Sequence, residues 1–320
     1  MKKFFKLFLL MAMITALVAS CQKDDTNAPE DNKTTETTES KTEEKKEDKK
    51  EEKKDEKKDE TSSLGTINVI SREDGSGTRG AFTELVGLID ENKNDMTWQE
   101  AVIQNGTDAV VATVSGDDTA IGYISLGSVN DTIKPLKVDG VEASVEDIKN
   151  GSYKISRPFN IMWKEGEISE PAQALVDFIM SSDAQPIVEK SGFISILDSA
   201  KAYEAKEGLS GKVTVGGSTS VTPLMEKIVE KFNEVQKDIE VSINPTGSTA
   251  GVTGAIDGTL DIGMASRELK AEEAEKIHGE AMAKDGIAVI VNKNNSIDDI
   301  SMESIKNIFL GELRDWKDVK

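Results

Sequence analysis

Three short loops built from glycine, serine and threonine stand where an apolar run gives way to a helix-like segment. They are Asp74-Gly75-Ser76-Gly77-Thr78, Gly217-Ser218-Thr219-Ser220 and Gly247-Ser248-Thr249-Ala250-Gly251. A loop of this kind at a helix entrance aims free backbone N–H groups and small hydroxyls at one point, where the helix dipole also favours negative charge. A single such loop is usually just a turn. Three in one chain, the first beside Arg72, point to a site for a small oxyanion. Ser76, Thr78, Thr219, Ser220, Ser248 and Thr249 supply hydroxyls, and the glycines let the backbone come close. Arg72 can add two parallel charged hydrogen bonds, with Asp74 placed to orient its guanidinium.

The intervening sequence reads as α/β layers, because short apolar runs alternate with amphipathic ones. Strands are expected at 67–70, 121–126, 212–215, 239–243 and 286–291. A helix over 78–88 would bury Phe82, Leu85 and Ile89. Ser169 opens another, with Pro171 in its first turn and Leu175, Phe178 and Ile179 on one face. Thr222 reads as an N-cap before Pro223, followed by Leu224, Ile228 and Phe232 four residues apart. A last helix carries Ile305, Ile308 and Phe309 ahead of Trp316. His278 falls in a polar, helix-like run over 270–284.

The N-terminal end is of a different kind. Lys2, Lys3 and Lys6 precede an apolar stretch from Leu7 to Val18, too short to span a bilayer comfortably, so residues 1–21 read as an export signal. The signal ends in Leu17-Val18-Ala19-Ser20-Cys21, which is similar to a bacterial lipobox, and Cys21 is the expected lipidation site. It is also the sole cysteine, so no disulfide is expected in the folded part. Residues 22–64 are a charged tether of Lys, Glu, Asp, Thr and Ser, with too little apolar surface to fold.

Composition closes off several functions. The chain carries a formal net charge of −20 and offers no basic face, which argues against nucleic acid. A bound anion must therefore be held by local dipoles and one or two arginines against the overall field. With one histidine and one cysteine, zinc and copper sites are not expected, nor is any cofactor. The chain has no GxSxG elbow and no GxxxxGK[ST] loop, so neither a serine hydrolase nor a P-loop hydrolase is indicated. Trp98, Trp163 and Trp316 read as packing anchors.

Three longer stretches carry a family resemblance: VTVGGSTSVTPLMEKIVEKF, INPTGSTAGVTGAIDGTLDIGMASRELK and INVISREDGSGTRGAFTEL. They are similar to the phosphate-binding proteins of bacterial high-affinity phosphate ABC transporters. AIGYISLGSV, IVEKSGFISI and SIKNIFLGELRDWKDV extend the likeness over about residues 65–320. The resemblance implies a two-lobed, periplasmic-binding-protein-like (type II) α/β fold that closes over dehydrated phosphate in the cleft between its lobes. It implies no enzymatic step. The implied partners are inorganic phosphate, an ABC permease with its ATPase, and the membrane, on whose extracytoplasmic face the lipid on Cys21 would hold the protein. By the same resemblance the ligand contacts are Arg72, Ser76, Gly77, Thr78, Thr219, Ser220 and Ser248, with Asp74 holding the arginine, and the loop hydroxyl of Thr249 is added on its chemistry alone. A tethered phosphate sensor or adhesin uncoupled from transport would carry the same residues.

Two departures from the family pattern stand out. Family members usually place the REDGSGT-type loop after the Trp-Lys-Asp stretch, whereas here it comes first and the chain runs on to Trp316-Lys317-Asp318-Val319-Lys320. Joining Lys320 to Gly65 would restore the usual order, so the sequence reads as a circular permutant. On that reading residues 123–285 form one continuous lobe, and the other is assembled from 65–122 and 286–320. Slower folding than in an unpermuted relative is then expected. Secondly, many members follow the serine of the DIGxS segment with an aspartate that accepts the proton of phosphate. Here Ser266 is followed by Arg267, a further candidate contact for the anion or one half of a salt bridge. Hydroxyl oxygens, Asp74 or Asp261 would then have to accept that proton.

Overall fold

The computed structural model describes residues 64–197 and 199–320. The export signal, Cys21 and nearly all of the charged tether lie outside the described residues.

Strand β1 (Asn68–Arg72) buries every residue after the first and leads through the first glycine loop into helix α1 (Gly77–Leu85). The Ser76 hydroxyl caps α1 by accepting the Arg79 N–H. The helix stops at Leu85, ahead of Gly87 at φ 72, so it is shorter than the expected 78–88. Phe82 is buried as expected, but Leu85 is 41% exposed and Ile89 lies beyond the helix. Next come β2 (Val102–Gln104), α2 (Thr107–Ser115), β3 (Ala120–Ser125), β4 (Ile133–Pro135), β5 (Lys137–Val138) and the short α3 (Val145–Lys149). β6 (Ser156–Lys164) leads to α4 (Glu170–Ile179), capped by Ser169 with Pro171 in its first turn, and to α5 (Gln185–Lys190).

β7 (Gly211–Gly217) enters the second loop and α6 (Thr222–Val235), in which Leu224, Ile228 and Phe232 are all fully buried. Thr222 is the first residue of α6 and Val221 its N-cap. The Thr222 hydroxyl donates instead to the Ser218 carbonyl at 3.0 Å. β8 (Ile239–Pro245), α7 (Ser248–Asp257), β9 (Ile262–Ala265), α8 (Ala271–Ala274), β10 (Ile277–Asn292), β11 (Asp299–Ile300) and α9 (Met302–Phe309) complete the order. His278 lies in β10, not in a helix. Pairing with β6 overrides local helix preference there, in the register His278 opposite Trp163 and Asp285 opposite Arg157.

The sheet runs β2-β1-β3-β10-β6-β9-β7-β8, with β4 also on β10, and its middle strands β10 and β6 are long and antiparallel. Side chains gather in separate cores on either side of a line across these two strands. Phe159, Ile161, Val213, Val215, Leu224, Phe232 and Met282 pack in one core. Val69, Phe82, Tyr123, Ile155, Ile287, Phe309 and Trp316 pack in the other. The chain therefore crosses between the two halves at 155–159 and at 283–287.

The first crossing differs from the expected 122/123 boundary. Tyr123, Leu136, Val138, Ile148, Tyr153 and Ile155 all belong with the residues before 122. The reason is long-range pairing: β3 lies between β1 on one side and β10 on the other, and the Tyr123 ring stacks on Phe82 at 3.9 Å between centroids. The ends of the described fold meet in this same half. The Trp316 N–H donates to the Gly65 carbonyl at 3.0 Å, and Thr66 bridges to Asp315.

Candidate anion-binding site

Four helices begin at the junction of the two halves, and their first turns converge. α1 and α2 come from one half, α6 and α7 from the other. Each presents first-turn N–H groups that have no intrahelical partner, along with the positive end of its dipole.

Close approach of backbone makes this arrangement possible. A Cβ on Gly217, which sits at φ 134, would lie 2.2 Å from the Met264 carbonyl oxygen and 3.0 Å from the Gly251 Cα. Only glycine there lets the ends of β7, β9 and α7 meet. At the junction itself, a Cβ on Gly77 would lie 2.3 Å from Ser248 Oγ and 2.8 Å from Ser266 Oγ. The backbone at the start of α1 is thus pressed against the hydroxyls of the opposite half.

Hydroxyls from both halves are in direct contact here. Thr78 Oγ1 is 2.9 Å from Ser220 Oγ, Thr107 Oγ1 lies 3.3 Å from Ser220 Oγ, and Ser218 donates to Ser266 Oγ at 2.9 Å. The Ser266 N–H donates to Ser248 Oγ at 3.1 Å, and the Thr249 N–H reaches across to the Gly75 carbonyl at 3.0 Å. Arg72 is 1% exposed, and its Nη2 donates to Thr219 Oγ1 across the junction at 3.0 Å.

The partner of Arg72 is Glu73, not Asp74. Glu73 accepts from Nε and Nη2, both at 2.7 Å, and takes the Gly106 N–H at 3.1 Å. Burial pushes the Glu73 carboxyl up, but Arg72 and the Gly106 N–H outweigh it and hold the group below the usual range. Asp74 has a side chain 96% exposed and pairs with Arg79 at 2.9 Å. Its expected role is corrected on that ground: the turn at Asp74-Gly75 carries its carboxylate outward.

Arg267 is corrected as well. Its guanidinium binds Glu273 through two bonds of 2.7 and 2.8 Å, so the salt-bridge alternative describes its contacts. The side chain facing the hydroxyl cluster is its neighbour Ser266, 1% exposed. Asp261 is engaged elsewhere, accepting the N–H and hydroxyl of Thr214, both at 2.7 Å. Thr249 contributes its N–H, but its side chain is exposed.

Arg72, Gly77, Thr78, Thr219, Ser220 and Ser248 are thus brought together, with Ser76 buried as the cap behind them. Sequence reasoning missed Glu73, Thr107, Ser218 and Ser266 as members of the cluster. Thr107 follows Gly106, the positive-φ N-cap of α2, and the strand-like Val102-Ile103-Gln104 before it was the available signal. A groove of about 610 Å³ opens beside the cluster, lined by Ser76, Arg79, Thr249, Arg267 and Lys270 among others.

A family model described as a PBP superfamily domain matches residues 26–183 and 202–320. A relative from Streptococcus agalactiae serotype V, named phosphate-binding protein PstS 2, is 52% identical over 264 residues, covering 81% of this chain and 89% of the relative. The crystal structure of a phosphate ABC transporter phosphate-binding protein from Streptococcus pneumoniae superposes with a TM-score of 0.65 at 44% identity. That match covers 80% of this chain and all of the other. A phosphate-binding protein PstS from Staphylococcus saprophyticus is 37% identical, but over 117 residues only, 34% of this chain and 37% of the relative. By family model, by identity over most of its length and by fold, the chain belongs to the PBP superfamily, in the family of ABC-transporter phosphate-binding proteins.

Proposed function

We propose that this protein captures inorganic phosphate between its two halves and delivers it to an ABC permease with its ATPase subunits. It does so on the extracytoplasmic face of the membrane, held there by a lipid on Cys21, and it binds without catalysing a reaction. The observation that carries this reading is the meeting of Arg72 with hydroxyls of both halves where four helix N-termini converge. An anion entering between Thr78, Thr107, Thr219, Ser220 and Ser248 takes donors that otherwise bond to one another. Release of the anion then requires the halves to part.

Because Glu73 offsets the Arg72 charge, attraction rests mainly on oriented dipoles. Phosphate keeps a proton near neutral pH and sulfate keeps none. With Asp74 and Asp261 engaged elsewhere and Glu73 held by Arg72, hydroxyl oxygens accept the hydrogen bond that this phosphate O–H donates, since each has two lone pairs beside its own hydrogen. Calorimetric titration of residues 22–320, stripped of endogenous ligand, tests the reading. Submicromolar phosphate binding with little response to sulfate is the expected outcome. A folded protein that binds neither anion would refute it.

The same proposal includes a permuted chain order relative to part of the family. Two observations support it: residues 65–66 pair with 315–316, and the Staphylococcus saprophyticus relative aligns over one third of the chain only. A collinear alignment across a permutation stops at the cut. The Streptococcus agalactiae relative, aligned over 264 residues, shares the order found here.

A further inference from the structure

Of all the charged side chains at the junction, two are buried deepest and play no part in the site described above. Arg157 on β6 and Asp285 on β10 are register partners with side chains 1% and 0% exposed, joined by bonds of 2.9 and 3.1 Å. They sit where the two long strands cross from one half to the other. Burying such a pair is costly, and a well-packed apolar pair is often at least as stable, so the pair's contribution to stability does not account for it.

Its connections are more informative. Asp285 Oδ1 accepts the Ser125 hydroxyl at 3.0 Å, from β3 in one half. Arg157 Nη1 donates to the Ser266 carbonyl at 3.1 Å, in the other half. Ser266 in turn presents its hydroxyl to Ser218 and its N–H to Ser248. Asn160, three residues beyond Arg157, holds the next carbonyl, that of Arg267, at 2.8 Å. A continuous chain of bonds thus runs from one half, through the crossing point, to the wall of the hydroxyl cluster.

We propose that the Arg157–Asp285 pair positions Ser266 for the anion and ties that position to the closed arrangement of the two halves. Rotation about the crossing strands would separate Asp285 from Ser125 or Arg157 from Ser266. The inference rests on the phosphate-capture reading and deepens it. The groups facing the pair are Arg72 from β1, Tyr123 from β3 and Tyr153 ahead of β6, with the Phe159 ring 5.4 Å from the guanidinium. Burial pushes the Asp285 carboxyl up to about 6, against the opposing pull of Arg157, Ser125 and the Leu126 N–H. The tie is therefore made when Asp285 is ionised and loosens as pH falls through that value.

The test compares phosphate affinity of the wild type and Asp285→Asn from about pH 5 to about pH 8, with thermal stability measured alongside. Protonation of phosphate is common to both proteins and cancels in the ratio of their Kd values. The ratio is expected to be about tenfold or more at the upper end and to approach one at the lower end, where protonated Asp285 resembles asparagine. A ratio of one throughout, or one that does not change with pH, overturns the proposal. Arg157→Lys is the second variant, keeping the charge but unable to span both Asp285 and the Ser266 carbonyl. Its phosphate Kd is expected to rise by about tenfold, with the pH dependence retained, and an unchanged Kd overturns the proposal even if Asp285→Asn does not fold. Should the wild type fail to bind phosphate, the function reading itself is what fails.

Discussion

Arg72 concentrates the electrostatics of the candidate site in one residue. It is almost fully buried, yet its charge is met by Glu73 through two short bonds, so its value to an anion lies in correctly aimed N–H groups more than in net charge. Nη2 already reaches Thr219 of the opposite half. Replacing Arg72 with alanine removes those donors and leaves Glu73 with only the Gly106 N–H beside an anion that has lost its buried cation. The expected loss of phosphate affinity is on the order of 2–5 kcal/mol, read by calorimetry. A near-unchanged Kd would remove Arg72 from the site. The structure also explains why the neighbouring acid was misjudged: Glu73 and Asp74 are both plausible partners on paper. Only the direction of the turn, with Gly75 at φ 83, decides which carboxylate stays inside.

Among the elements, α1 and α7 matter most because they meet N-terminus to N-terminus across the junction. Gly77 begins α1 and faces Ser248, the first residue of α7. Gly77→Ala places a methyl 2.3 Å from Ser248 Oγ in the closed arrangement. Within its own helix the change is favourable or neutral, since alanine has the better helix propensity. The two effects separate cleanly. Thermal stability without phosphate is expected to stay within about 1 kcal/mol of wild type, while Kd rises by at least about tenfold. Equal affinity would show that the halves need not approach this closely to bind. The capping serines behave differently. Ser76, Ser169 and Ser301 each accept an N–H from the first turn of their helix, a local contribution of about 1 kcal/mol that does not depend on how the halves meet.

For the whole molecule, chain order decides which of the two halves is interrupted. With 65–155 and 286–320 in one half, that half is interrupted by about 130 residues. If Lys320 were joined to Gly65 and the chain opened at the exposed Gly208, the other half would be interrupted instead, by a stretch of similar length. The slower folding expected from the sequence therefore gives way to a different prediction. The rejoined chain and the natural order should refold at rates within about tenfold of each other and bind phosphate with similar Kd. Stopped-flow refolding of the two chains checks this. A much slower natural order would mean that closing the half around β1, β3 and β10 limits the rate.

The layer architecture, the helix starts at the glycine loops and at Ser169, and the chemistry of the three loops were legible in the sequence, because these depend on short-range rules. Apolar periodicity placed Leu224, Ile228 and Phe232 on one buried face, and serine before a helix is a cap whatever packs around it. Glycine loops at helix entrances likewise bring N–H groups together locally. Three matters needed the tertiary structure. His278 became a strand residue because β6 supplied a partner more than a hundred residues away in the chain. The dividing line between the halves moved from 122 to 155 because β3 pairs with β1, 52 residues before it, and with β10, more than 150 residues after it. Thr107, Ser218 and Ser266 joined the site, and Arg267 left it for Glu273, because the halves meet in one particular orientation. Local sequence encodes which groups can donate. Which of them point at the same place is set by long-range packing, and that depends on contacts no short window contains.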